Sequence, residues 1–302
     1  MDLKSKIILI SGPTASGKSS FAIKLAKKIK GEIINADSMQ VYRQLKILSA
    51  RPNPKNYQSI KHHLYGFQDA RKSFSVGDWL KIAHKKIIEV RKRKKIPILV
   101  GGTGLYFKAL TDGLVKIPNI PVNFRNQIRN LNKKIGQGKF YKQLLKLDPL
   151  SNIINPMDTQ RSIRAYEIKK FTKKSIHDWI KNTKTHFKKE EFYKIYINLS
   201  REKLLKKINI RTERMIKMGA INEVKKLIKL KVKKNKMVHK AIGINEIKDY
   251  LSGKNNLNEM KYKVLIKTRQ YAKKQRTWSR GHMSDWHMHD HSQLKKVINN
   301  LG

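Results

Sequence analysis

The segment Gly12-Pro13-Thr14-Ala15-Ser16-Gly17-Lys18-Ser19 constrains this chain more than any other, because it matches the P-loop pattern in full: two glycines separated by four residues, then lysine and a hydroxyl residue. It lies between the apolar run KIILIS and the amphipathic pattern KSSFAIKLAKKI, which read as a strand and a helix. The glycines let the backbone curl so that successive N–H groups point at phosphate oxygens, with the positive end of the helix dipole behind them. Gly12, Thr14, Ala15, Ser16, Gly17, Lys18 and Ser19 are therefore candidate phosphate-binding residues. Lys18 would neutralise the outer phosphate, and the Ser19 hydroxyl would be placed as a ligand for Mg2+. Kinases, motors and transferases all share this cradle, so the loop names a phosphorylated ligand and leaves the reaction open.

A second strand reads GEIINADS from Gly31 and a third reads IPILVGGTG from Ile96, each an apolar run after a basic amphipathic helix. This βαβ pattern predicts an α/β fold: a P-loop NTPase-like parallel sheet flanked by helices. Strands ending at Ser11, Asp37 and Gly101 bring three loops to the carboxyl edge of one sheet, where open α/β folds bind ligands. NTPases commonly end a neighbouring strand with an Asp that serves magnesium, whereas this third strand ends in Gly101, Gly102 and Thr103. Asp37 closes the second strand, where its carboxylate could accept a hydrogen bond or a proton from a second substrate. The bland alternatives are turn or helix-cap roles for Asp37 and Thr103.

The chain has 302 residues, with 69 Lys+Arg against 21 Asp+Glu and a formal charge of +48. Such a surface attracts polyanions, and nucleic acid becomes the leading partner. The chain is also rich in Lys, Ile and Asn together, which assigns part of the excess to compositional bias. The absence of cysteine excludes a disulfide framework and a thiolate zinc site. With no signal-type segment before the first strand and no run of about 18 apolar residues, the expectation is a cytoplasmic protein without membrane contact.

Between about Lys116 and Leu199 the pattern changes to helices rich in Lys and Asn, entered at KIPNIP and left through the strand FYKIYINLS. The expected organisation is a core from 1–115 and 200–302 with an all-helical subdomain inserted at 116–199. Toward the C-terminus, MKYKVLIKTRQYAKKQRTWSR reads as a long basic helix carrying Tyr and Trp, a composition suited to single-stranded RNA, although its tyrosines could equally face a core. The tail HMSDWHMHDHS holds His282, His287, His289 and His291 without an acidic or thiolate frame, and a frayed tail is expected.

Taken in order, GPTASGKSS, NADSMQVYR, HHL, VGGTGLYFKAL, TQRSIRAYEI, AIGINEI and TRQYAKKQRTW resemble the motif set of the bacterial tRNA dimethylallyltransferases, or isopentenyltransferases. The resemblance runs from Ile8 to about Trp278. It implies transfer of a dimethylallyl group from dimethylallyl pyrophosphate to the exocyclic amine of the adenosine 3′ of the anticodon. The P-loop would then hold a pyrophosphate with Mg2+, assisted by Arg211. Asp37 matches the family's general base and Thr103 the residue beside the bridging oxygen. Contacts to the tRNA anticodon arm are implied for Asp37, Ser38, Met39, Gln40, Thr103, Arg125, Gln160, Arg161, Ser162, Ile163, Arg164, Lys240, Arg269, Lys274, Gln275 and Arg276, and a monomer is expected. Lys207 stands where the family usually has Arg, AIGINEI replaces a more frequent Tyr-Lys after its glycine, and Ser279 replaces an apolar residue. A P-loop kinase of a nucleotide or small metabolite would use Lys18, Ser19 and Arg211 but explains neither the glycines at the third strand nor the basic helix. An RNA-binding protein with a vestigial P-loop would leave Asp37 and Thr103 idle.

Overall fold

The computed structural model describes residues 3, 5–181 and 183–301. Its strands are β1 (Ile7–Ser11), β2 (Gly31–Asn35), β3 (His62–His63), β4 (Ile96–Val100), β5 (Phe192–Asn198) and β6 (His287–Asp290). They form one sheet in the order β3-β2-β4-β1-β5-β6, and every neighbouring pair is parallel. The central strand β1 reads IILIS and is buried along its whole length, as a parallel strand covered on both faces must be. Its register sets Ile8 beside Ile98 of β4 and Ile10 beside Ile195 of β5.

Helix α1 (Lys18–Lys28) follows the P-loop and buries Phe21, Ala22, Ile23, Leu25 and Ala26 in the sheet's core. Helix α2 (Val76–Lys92) starts at a capping box in which Ser75 and Asp78 satisfy each other's backbone N–H groups. Its buried Trp79 donates from Nε1 to the Asn35 carbonyl at 2.9 Å, which ties the helix to the end of β2 where the site begins. Helix α3 (Gly104–Thr111) leaves β4 directly.

Residues 112–186 form a separate compact unit of α4 (Val122–Ile135), α5 (Gln137–Leu147), α6 (Thr159–Thr172) and α7 (Ile176–Lys181), with Tyr141, Leu144, Ile154 and Ala165 in its core. The inserted helical unit therefore ends earlier than the sequence-based limit of 199: β5 pairs with β1 over five residue pairs and belongs to the core. The chain continues through α8 (Arg201–Lys217), α9 (Ala220–Lys229), α10 (Ile244–Leu251), α11 (Leu257–His282) and α12 (Leu294–Leu301). Met215, Val224, Leu227, Ile247, Met260 and Val264 of these helices pack with Val41, Tyr42, Leu45 and Leu48 into a second core cluster.

The expected frayed tail is a second correction. Residues His287–Asp290 add β6 beside β5, and α12 buries Leu294 and Val297 against the apolar face of α1. Backbone pairing and two apolar side chains supply the order that a local reading of a histidine-rich stretch misses. Among the described residues no helix is long and apolar enough to cross a membrane.

Candidate active site

The P-loop is bent by backbone that few side chains allow. Gly17 has φ of 91° and Ala15 has φ of 64°, a left-handed step that turns successive amides to one side. A Cβ at Gly12 would sit 2.6 Å from the Ile197 carbonyl oxygen on β5, so only glycine lets the loop lie this close to the sheet. Ser16 is fully buried and its hydroxyl has no hydrogen-bond partner among the described residues.

Lys18 folds back over the loop, donating to the carbonyls of Gly12 at 2.8 Å and Pro13 at 2.7 Å. Burial lowers its pKa to about 8, partly offset by the nearby Asp37 carboxylate and reinforced by the Arg211 guanidinium. Arg211 reaches the loop from α8 and donates from Nη1 to Thr14 Oγ1 at 2.8 Å. Desolvation lowers its pKa too, against the attraction of Asp37. Two half-buried, partly desolvated cations thus flank one loop, an arrangement that an anionic ligand relieves.

Asp37 sits just beyond β2. Its Oδ1 accepts from the amides of Met39 at 2.9 Å and Gln40 at 3.2 Å, so the turn role is real for that oxygen. No described hydrogen bond reaches Oδ2. The buried Asn35 fixes the backbone beneath it, accepting from the Asp37 amide and donating to the carbonyls of Asp37 and Leu64, each at 3.0 Å. Thr103 answers from the loop after β4, where its Oγ1 accepts from the Ser38 amide at 3.0 Å and donates to Ser38 Oγ at 3.3 Å. The neighbouring glycines are explained by closeness: a Cβ at Gly101 would lie 1.9 Å from the Ala36 carbonyl oxygen. A side chain at Gly101 would push the Asp37 and Thr103 loops apart.

Gln275 of α11 joins the third loop to the first. Its Oε1 accepts from the Thr14 amide at 2.8 Å, and its Nε2 donates to the Gly102 carbonyl at 2.9 Å. Both ends of the amide are spent on protein backbone. On one side of this bridge lies a cavity of about 410 Å³, with Thr14, Lys18, Ser19, Asp37 and Arg211 on its polar wall and Leu48, Met215, Met237 and Ile242 on its apolar wall. On the other side Thr103, Leu105, Tyr196, Lys274, Trp278 and Met283 line a second space of about 240 Å³. Trp278 lies over Gly104, where a Cβ would come within 2.2 Å of the indole. Burial raises the pKa of the Tyr271 phenol, which touches both spaces, and so keeps it a neutral donor.

The structure brings Gly17, Lys18, Ser19, Asp37, Ser38, Met39, Gln40, Arg211, Lys240 and Gln275 around one cavity. Gln40 is a brace within it, donating from Nε2 to the carbonyls of Ser49 at 3.0 Å and Ala50 at 3.3 Å. Arg269 instead pairs with Asn209 Oδ1 at 3.0 Å, and Arg276 lines neither space. Within the helical unit Gln160 and Arg161 are exposed and Ile163 is half-buried. Ser162 is wholly buried, with its hydroxyl donating to the Asp158 carbonyl at 2.8 Å; facing inward, its side chain is withdrawn from the RNA contact the motif implied. Arg125, Arg129 and Arg164 gather at 3.3–3.8 Å around the buried Glu167 carboxylate, a cluster in which the sequence drew attention only to the first and third arginines.

Sequence reasoning also missed Asn35 and Glu223. The Glu223 carboxylate, on α9, accepts from the amides of Lys46 and Ile47 at 2.8 Å and of Leu48 at 2.9 Å, and so holds the cavity wall at Leu48. Glu223 had no local signal, because its partners lie about 175 residues away.

A parallel sheet whose first strand delivers a P-loop, with a carboxylate and a hydroxyl on the adjoining loops, defines an α/β protein of the P-loop class. The chain belongs to the IPP transferase family, whose model matches residues 40–282, while the isopentenyl transferase model matches residues 5–72. It is 58% identical over 302 residues to the tRNA dimethylallyltransferase of Pelagibacter ubique (strain HTCC1062), covering 100% of this chain and 96% of that one. It is 44% identical over 285 residues to the tRNA dimethylallyltransferase of Rickettsia massiliae (strain Mtu5), covering 93% and 78%. Among solved structures, the full-length tRNA isopentenylpyrophosphate transferase from Bacillus halodurans superposes with a TM-score of 0.71 at 31% identity, over 98% of this chain and 95% of that one. A eukaryotic dimethylallyltransferase acting on tRNA gives a TM-score of 0.82 at 27% identity, over 98% and 76%.

Proposed function

We propose that this chain is a transferase that moves a dimethylallyl group from dimethylallyl pyrophosphate to the exocyclic amine of the adenosine 3′ of the anticodon in tRNA. The observation that carries this reading is the convergence on one cavity of a phosphate cradle, a carboxylate with an uncommitted oxygen and an apolar wall. A P-loop kinase of a nucleotide or small metabolite would leave Leu48, Met215 and Met237 beside the P-loop without a task.

Each group then has a task. The cradle amides, Lys18 and Arg211 receive the pyrophosphate, whose charge grows as the bond from its oxygen to the allylic carbon breaks. The adenine amine attacks that carbon in line, and its proton passes to Asp37 Oδ2 as the new carbon–nitrogen bond forms. Pyrophosphate leaves with the electron pair of the broken bond. Thr103, whose hydroxyl accepts from the Ser38 amide and donates to Ser38 Oγ, would turn that proton from Ser38 to a reacting oxygen when substrate is bound.

Mg2+ fits the donor set at this loop: the Ser19 hydroxyl lines the cavity, and this ion keeps most of its ligands as water and phosphate oxygen rather than protein. Bound there, it would offset charge on the leaving pyrophosphate. Among the described residues no group of three or more His, Cys, Asp or Glu is placed to hold a metal by itself, so Ser19 and the substrate would share the task. We also place the chain in the cytoplasm, acting as a monomer on the anticodon arm.

The test is incubation of the full chain with unmodified tRNA and labelled dimethylallyl pyrophosphate, in parallel with ATP and candidate phosphate acceptors. Label entering tRNA at the position 3′ of the anticodon is the expected result. Phosphoryl transfer from ATP without prenyl transfer would select the kinase.

A further inference from the structure

The C-terminal tail lies beyond residue 282, where the main family match ends, yet β6 delivers it to the carboxyl edge of the sheet beside the P-loop. The turn after β6 is well fixed. Asp290 Oδ1 accepts from the Ser292 amide at 3.0 Å and the Ser292 hydroxyl at 2.8 Å, and the Asp290 amide donates to Gln293 Oε1 at 3.0 Å. His291 rides on this turn. Its Nε2 lies 3.1 Å from where a Cβ of Gly17 would be, and 3.1 Å from Lys207 Nζ. The same imidazole nitrogen therefore lies close both to the Lys207 ammonium and to the Gly17 backbone. Arg211, one turn further along α8, already reaches the same loop at Thr14.

We propose that His291 is a positioning residue of the pyrophosphate site: its Nε2 holds Lys207 beside Gly17, so that α8 presents two cations, Lys207 and Arg211, to one bound pyrophosphate. This rests on the pyrophosphate reading of the P-loop and adds a tail residue to it. The chemistry explains why a holder is needed. A lysine is a point charge on a four-carbon stem, without the planar fork that aims an arginine, and fixing it costs rotamer entropy. A neutral imidazole accepting one ammonium proton removes much of that freedom and leaves two protons for phosphate. Desolvation favours the neutral ring first, and Lys207 and Lys203 on α8 and Lys24 on α1 act in the same direction, against Asp290 on its own turn.

The experiment uses the full chain and compares His291→Ala, His291→Gln, Lys207→Ala and the double variant His291→Ala/Lys207→Ala. Inorganic pyrophosphate binding is read by calorimetry, KM for dimethylallyl pyrophosphate by steady-state kinetics, and tRNA affinity and melting temperature serve as controls. The Ala variant at 291 should weaken pyrophosphate and raise this KM by about 3- to 10-fold, the scale of one half-exposed charge contact. Its kcat, tRNA affinity and melting temperature should hold. Gln, whose amide oxygen can accept from Lys207, should recover most of the loss, and the double variant should be no worse than Lys207→Ala. Unchanged pyrophosphate binding in His291→Ala, additive losses in the double variant, or a lowered melting temperature that Gln fails to restore would each overturn the proposal. Wild-type protein that binds no pyrophosphate would overturn the reading of the P-loop itself, and this inference with it.

Discussion

Asp37 uses one carboxylate oxygen to order the loop after β2, through the amides of Met39 and Gln40, and no described hydrogen bond holds the other. That division makes Asp37→Asn informative, because asparagine retains an acceptor at Oδ1 and loses only the capacity to take a proton. We expect kcat to fall by about 10² to 10⁴, with KM for tRNA and the melting temperature little changed, while Asp37→Ala loses stability as well. Single-turnover rates and melting curves of both variants decide this, and an active Asn variant would reduce Asp37 to a turn residue. Lys18 carries a second expectation. Its pKa of about 8 in the free site means that pyrophosphate, which favours the ammonium, must be bound with proton uptake once the pH exceeds that value. Pyrophosphate affinity measured without added divalent ion should be level below pH 8 and fall by up to tenfold per unit above it, until the ordinary lysine range is reached. The same depression works on folding in the opposite sense to a salt bridge. The buried ammonium is a cost below pH 8, and that cost is relieved as pH rises from about 8 toward 10.5.

At the scale of elements, the sequence showed β1, β4 and β5 because each is a largely apolar run of five to seven residues, and β2 through its Ile33-Ile34 pair before the Asp37 loop. The motif loops were legible for the same reason, since each follows such a run. The two edge strands were not. His62–His63 and His287–Asp290 are short, polar and half-exposed, and they are strands only because β2 and β5 offer them backbone partners. Local pattern cannot report a hydrogen bond to a residue far along the chain, which is why Glu223, Gln275 as a bridge and the His291 contact were also invisible. Glu223 gives this a measurable form. It joins α9 to the 46–48 backbone through three charge-assisted bonds, and that backbone holds Leu48 against the cavity. Replacing it with Ala leaves those amides seeking water and should cost about 2–3 kcal/mol. With the cavity wall released, KM for dimethylallyl pyrophosphate should rise more than KM for tRNA. Equal melting temperatures for Glu223→Ala and wild type would show that the loop is held by other means.

For the whole molecule the decisive quantity is the formal charge of +48, and the question is how much of it touches RNA. Lysines on amphipathic helices are commonly solvated, and a chain rich in Lys, Ile and Asn carries many of them without any partner. The arginines of the helical unit are different. Arg125, Arg129 and Arg164 are 39–50% exposed around a single buried acid, so that among the described residues three positive charges share one carboxylate. Arg161 is 68% exposed and among the described residues pairs with Asp158, at 3.5 Å. Phosphates that displace counterions onto such groups give tRNA binding a steep dependence on salt, whereas a pyrophosphate enclosed with Lys18 and Arg211 exchanges few counterions. We therefore expect tRNA affinity to fall about 10³-fold or more between 50 and 200 mM monovalent salt, as for at least six phosphate contacts, with a far smaller change for pyrophosphate. Arg161→Ala should reduce the slope of log affinity against log salt by about 0.7–0.9 if that guanidinium meets one phosphate. A shallow slope in the wild type would assign most of the charge to composition. A steep slope left intact by Arg161→Ala would instead move the phosphate contacts to other cations of the chain.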